Sequence, residues 1–146
     1  MPSTLLLLFA ALWLAWTVLA GRVDGPRHSA QVSTCESTDT SRFATVMFEP
    51  DSTALNSAQM PALKFLASDI KPQLQTDGAT LELRSYGGSV GDVSARAFDI
   101  SRKRGLALRN TLVSDGVSGD RIALRPMGGA IRCGSPDRVD LLLRKN

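Results

Sequence analysis

Histidine is almost missing from this chain, with His28 alone among 146 residues. Cysteine is scarce, limited to Cys35 and Cys133, and both tryptophans, Trp13 and Trp16, fall near the amino terminus. These shortages exclude most site chemistry. A Ser-His-Asp relay needs a histidine beside its nucleophile, and His28 lies in a polar stretch with no second ligand at metal-site spacing. The two cysteines are too far apart in sequence for a closely spaced metal or redox motif. Neither Gly-x-Gly-x-x-Gly nor Gly-Lys-Ser/Thr occurs, and no repeat of solenoid or propeller length is visible. The inventory offers no catalytic residue, no metal site and no cofactor, so a non-enzymatic protein is expected.

Charge is absent from residues 1–20, MPSTLLLLFAALWLAWTVLA, which run almost unbroken in apolar side chains from Leu5. This is a membrane-targeting segment. Ala20 and Gly21, small residues after Val18, fit cleavage of a signal peptide with the mature chain beginning near Gly21. The missing basic n-region, and an apolar length close to the roughly 20 residues that cross a bilayer, fit an uncleaved anchor that would associate the protein with a membrane. Either way the remainder is exported. That remainder is 126 residues (146 − 20), enough for one domain with a single core. It carries the whole formal net charge of +3 and favours an anionic partner, while export disfavours nucleic acid.

Residues 21–42, GRVDGPRHSAQVSTCESTDTSR, hold few large apolar side chains and are expected to be a linker. Cys35 lies within it, and Cys133 in a loop before the last strand. An even cysteine count in an exported chain suggests a disulfide, with two unpaired thiols as the alternative. Such a bridge would close nearly the whole domain, worth about 4–5 kcal/mol in chain-entropy terms, less any native strain.

The domain itself is expected over residues 43–146. A β-branched and aromatic run at 43–48 predicts a first strand. Asn56 or Ser57 can cap a helix whose apolar stripe is Met60, Leu63, Ala67, Ile70 and Leu74, with Pro72 ending it near Ile70. A second strand covers 80–86, where Leu81 and Leu83 alternate with Glu82 and Arg84. Residues 92–99 read equally as loop or early helix. Ser101 is a candidate N-cap for a helix with Gly105, Leu108 and Leu112 on one stripe, and Gly116 suits its left-handed end. Strands at 122–126 and 138–143 complete a β-α-β-α-β-β order. The α+β fold expected is a mixed four-stranded sheet with helices on one face; the strands at 80–86 and 122–126 run parallel, and the last two are candidates for an antiparallel hairpin.

Between the second strand and the second helix lies Ser85-Tyr86-Gly87-Gly88-Ser89-Val90-Gly91, followed by Ile100-Ser101-Arg102-Lys103-Arg104-Gly105. The glycines serve a tight strand-to-helix turn or a ligand-contacting loop equally well. These two stretches resemble the OmpA-like C-terminal domain, a peptidoglycan-binding module of bacterial envelopes, with its Gly-(His/Tyr)-Thr-Asp-x-x-Gly turn and Leu-Ser-x-x-Arg-Ala helix start. The likeness extends upstream through residues 46–52 and Leu55, and downstream through Gly116-Val117, Arg121-Ile122 and residues 136–141.

The resemblance implies a site. Arg104 matches the family's binding arginine, whose guanidinium fork suits a carboxylate of the diaminopimelate-containing stem peptide. The family's binding aspartate falls on Gly88, so half of the ligand-holding pair is absent; restoring Asp there is expected to strengthen binding. Asp92, the next acid, can replace it from another backbone position or be ordinary turn chemistry. Tyr86 can pack against a sugar or a stem peptide, or be structural. Arg96 and Asp99 match no binding position. The resemblance therefore implies a protein of the Gram-negative periplasm or envelope, with association to the outer membrane or through an anchor, whose partners are peptidoglycan and other envelope proteins. Two functions are open: a tether between wall and envelope layers, or an interaction scaffold that keeps the fold without the ligand.

Overall fold

The computed structural model describes residues 41–131 and 134–145. The chain divides into two units: Met1–Thr34 lies wholly outside the described residues, and all the described residues belong to Cys35–Asn146. The expectations for the targeting segment, for most of the linker and for the Cys35–Cys133 bridge fall outside the described residues. No helix among the described residues is long and apolar enough to cross a membrane.

The elements are β1 (Arg42–Met47), α1 (Met60–Leu74), β2 (Thr80–Ser85), α2 (Ala95–Ser114), β3 (Ile122–Pro126) and β4 (Arg138–Arg144). They form the expected α+β order. The four strands make one mixed sheet in the order β1-β4-β2-β3, with β2 and β3 parallel and β4 antiparallel to both β1 and β2. The last two strands therefore form no hairpin. Residues Val139 to Leu142 of β4 are all buried, and an inner place, hydrogen-bonded on both edges, satisfies their backbone groups as an edge place beside β3 would not.

The core joins Leu63, Ala67, Ile70 and Leu74 of α1 and Leu108 and Leu112 of α2 to Leu81, Leu83, Val139 and Leu141 of the sheet. Leu81 and Leu83 are wholly buried while Glu82 and Arg84 are half-buried, as the alternation requires. Met60, expected on the buried stripe, is exposed. Asn56 caps a short 3-10 turn, Ser57–Gln59, that leads into α1: its Oδ1 accepts from the Ala58 amide, while Oε1 of Gln59 accepts from the Asn56 amide.

Two helix ends differ from the sequence reading. The first helix passes through Pro72 to Leu74: the ring removes one backbone bond, but Leu74 on the last turn is buried in the core. The second helix begins at Ala95, capped by Ser94, whose Oγ accepts from the Ala97 amide. Ser101 is inside the helix and fully buried, donating to Phe98 O and accepting from Gly128 N. Gly116 ends the helix with φ +91°, and the Val117 amide bonds back to Leu112 O.

Candidate functional site

Strand direction gathers four separate segments at one end of the sheet. The end of β1 and the end of β2 both lie beside the start of β4, because Met47 pairs with Arg138 and Ser85 with Val139. The Phe48 amide then reaches Asp137 O, and the Tyr86 amide reaches Arg138 O. The end of β3 arrives alongside β2, with Ser85 opposite Pro126. Turns 48–52, 86–92, 127–130 and 135–137 thus meet where β2 hands over to α2.

The 86–92 turn is zipped to the 127–130 turn by main-chain bonds: Gly87 N to Gly128 O, Gly91 N to Gly129 O and Gly129 N to Asp92 O. This approach leaves no room for a side chain, since a Cβ on Gly129 would sit 2.0 Å from Ser89 O. The glycines, equally suited by sequence to a turn or a ligand loop, hold a rigid wall.

A cleft of about 460 Å³ opens between this wall and the 49–52 turn. Pro50, Asp51, Gly88, Ser89, Asp92, Arg96, Ile100, Pro136 and Asp137 line it. Gly88 adopts φ +78°, and a Cβ there would lie 2.8 Å from the Ala97 Cβ and 2.9 Å from Oδ2 of Asp92. The Asp92 carboxylate therefore stands where a side chain on residue 88 would begin. Its Oδ1 accepts from the Ser94 amide at 2.8 Å. The Ser94 hydroxyl and amide, with a smaller contribution from Arg96, hold the Asp92 carboxyl below the usual aspartate range.

Arg104 lies behind the cleft, fully buried. Its Nε donates to Ser52 O (2.7 Å), Nη1 to Tyr86 O (3.1 Å) and Pro136 O (3.2 Å), and Nη2 to Glu49 O (3.2 Å) and Asp137 Oδ1 (2.8 Å). A guanidinium has five N–H groups, and every one is engaged. Its face also lies 5.4 Å from the Phe48 ring centroid. Arg104 is thus no solvated charge, unlike its neighbours Arg102 and Lys103, which pair with Asp99 at the surface. It ties the turns after β1 and β2 to the segment before β4.

Among the sequence candidates, Gly88 and Asp92 line the cleft and Arg104 underlies it. Tyr86 does not line it: the residue is 8% exposed, and its ring centroid lies 5.2 Å from the Arg138 guanidinium. Sequence reasoning missed Asp137, the ion-pair partner of Arg104, because only the pairing of β4 with β2 brings residue 137 beside residue 86. It also passed over Arg96, which faces the cleft one helical turn before Ile100. Among the described residues no group of acids, histidines or cysteines could hold a metal ion.

The four-stranded mixed sheet with two helices and a cleft at the strand ends is an α+β arrangement that the comparisons identify. The sequence pattern of the OmpA family matches residues 47–133, and the chain belongs to that family. A comparison with curated proteins finds no match. The fold is similar to that of the peptidoglycan-associated lipoprotein from Burkholderia pseudomallei, at 18% identity and TM-score 0.55 over 68% of this chain and 89% of that one. The OmpA-like domain of FopA1 from Francisella tularensis superposes with TM-score 0.51 at 20% identity, covering 68% of this chain and 72% of that one. The periplasmic domain of MotB from Helicobacter pylori does so with TM-score 0.55 at 17% identity, covering 66% and 69%.

Proposed function

We propose that this domain is a non-catalytic module of the bacterial cell envelope that binds the stem peptide of peptidoglycan in the cleft between the 49–52 and 86–92 turns. One observation carries the reading: the Asp92 carboxylate occupies the start of the path that a side chain on residue 88 would take. The acid that resemblance assigns to position 88 is supplied from position 92, and an ammonium group of the peptide is its natural partner. Membership of the OmpA family and a fold shared with a peptidoglycan-associated lipoprotein and a periplasmic domain support a place in the periplasm or envelope of a Gram-negative bacterium. A retained membrane anchor in residues 1–20 would make the contact a tether between wall and membrane.

Co-sedimentation of the full chain with purified peptidoglycan sacculi tests this. Asp92→Asn, which keeps the acceptor for the Ser94 amide but removes the charge, should weaken binding about tenfold or more. Asp99→Asn, which changes an acid of α2 outside the cleft, should leave binding unchanged. Equal losses would reduce the interaction to diffuse electrostatics. A second reading, the envelope scaffold without the ligand, is favoured by the complete internal engagement of Arg104. A wild-type chain that stays in the supernatant would establish it.

A further inference from the structure

A guanidinium buried in a protein needs an anion, and the source of that anion decides what the neighbouring cleft can recognise. Among the described residues Arg104 has one charged partner within hydrogen-bond reach, Asp137, at 2.8 Å from Nη2. The other four N–H groups face main-chain carbonyls of Glu49, Ser52, Tyr86 and Pro136, which hold the fork in place and cannot be exchanged for a ligand without unfolding the turns. Asp137 differs from them. Its side chain is 22% exposed while that of Arg104 is 0% exposed, and it forms part of the cleft wall. The carboxylate therefore stands between the buried cation and the space that a ligand would enter.

We infer that Asp137 is a resident carboxylate, occupying on Arg104 the position that a carboxylate of a bound molecule would otherwise take, and that it thereby makes the cleft selective for the ammonium end of its ligand. This rests on the stem-peptide reading for the identity of the ligand, but not for the Arg104 contact itself. Through Arg104 the cleft gains nothing from a ligand carboxylate; once Arg96, the cation that does line the cleft, is neutralised as Arg96→Gln, stem peptides with a free carboxylate and those with that group amidated bind alike. Truncation of Asp137 exposes Nη2 of Arg104 to the cleft and opens an anion slot.

The slot is read first by thermal unfolding of the full chain in formate against chloride of equal ionic strength. Asp137→Ala should melt below wild type and be partly restored by millimolar formate, while wild type and Asp137→Asn, whose amide oxygen still fills the position, should show no formate-specific shift. Absence of that shift in a folded Asp137→Ala protein would overturn the inference. The second measurement leaves Asp137 in place: the Arg96→Gln chain is titrated with a soluble tripeptide ending in diaminopimelate, its side-chain carboxyl free or amidated. Equal affinities are expected, and Asp137→Ala should then prefer the free carboxylate about tenfold or more. A tenfold preference for the free carboxylate in Arg96→Gln would overturn the resident-carboxylate inference on its own, even if Asp137→Ala does not fold. Failure of wild type to bind sacculi strikes the stem-peptide reading instead, and the formate shift still decides the role of Asp137.

Discussion

Beneath the cleft one guanidinium is surrounded by carbonyls, whereas on the sheet face that carries neither α1 nor α2 two carboxylates are surrounded by guanidiniums. There, Asp140, 2% exposed, accepts from Thr45 and pairs with Arg42 and Arg138. Glu82 meets Arg84, Arg125 and Arg144. Burial alone would raise the Glu82 carboxyl, but hydrogen bonds and the charges of Arg84 and Arg144 outweigh it and leave the group below its usual range. Arg42, Arg84, Arg125 and Arg144 are each about a quarter or more exposed and can rehydrate on losing a partner, whereas Arg138, 13% exposed, lies over the Tyr86 ring. Arg104 has no such route, and its loss strands several loop groups at once. The contrast predicts that a buried charge on the open sheet face tolerates substitution better than one that joins loops.

The largest expected effect tests that contrast directly. Arg104→Ala removes the cation from under Asp137 and leaves four carbonyls without their donor, which should cost about 3–5 kcal/mol in urea unfolding. Asp140→Ala leaves Arg42, a third exposed and able to turn to solvent, and Arg138, which keeps its place over the Tyr86 ring, and should cost about 1–3 kcal/mol. Equal losses would erase the difference between the two regions. The result also bears on binding assays: loss of sacculus binding by Arg104→Ala cannot by itself identify a ligand contact, because this variant disturbs three turns of the cleft.

The same contrast explains what could be read from the sequence. Strands β2, β3 and β4 and the apolar stripes of both helices follow from local period, since Leu81, Leu83, Leu108 and Leu112 point inward whatever surrounds them. The glycine turn and Arg104 were marked by family likeness. Asp137 was not, because its role depends on β4 lying between β1 and β2, and local pattern does not specify which strands pair. By pattern alone Arg104 is one more charge in Arg102-Lys103-Arg104, since burial of a charged residue comes from distant turns that close over it. Pro72 misled for a related reason: the local rule against proline in a helix yields where a further turn buries Leu74.

An intermediate effect sharpens the comparison within the cleft. Resemblance alone suggests that Gly88→Asp restores a binding group. The φ of +78° and the approach of the Ala97 Cβ at 2.8 Å make the substitution strained, at about 1–3 kcal/mol, and the new carboxylate would be forced against that of Asp92. Lower stability and weaker sacculus binding are expected together. An increase in affinity at unchanged stability would mean that the acid works better from position 88 than from 92.

The smallest effect concerns Ser94, which serves the fold and the cleft with one side chain. Its Oγ caps α2 at the Ala97 amide, and loss of that cap in Ser94→Ala should cost about 1 kcal/mol of stability. It also removes the foremost cause of the lowered Asp92 carboxyl, leaving the Ser94 amide and the field of Arg96. The sign is that of a depressed folded pKa: the contribution is complete above the unfolded value and disappears as pH falls through the folded one. Asp92 in the intact domain therefore keeps its charge to lower pH than an ordinary aspartate, and wild-type binding that depends on Asp92 should persist correspondingly further into acid. In Ser94→Ala the decline should begin at higher pH, closer to that ordinary value. The other acids of the cleft, Asp51 and Asp137, are common to both proteins, so the difference between the two sedimentation curves isolates Asp92. Coincident curves would separate the helix cap from the cleft and leave Ser94 with a purely structural part.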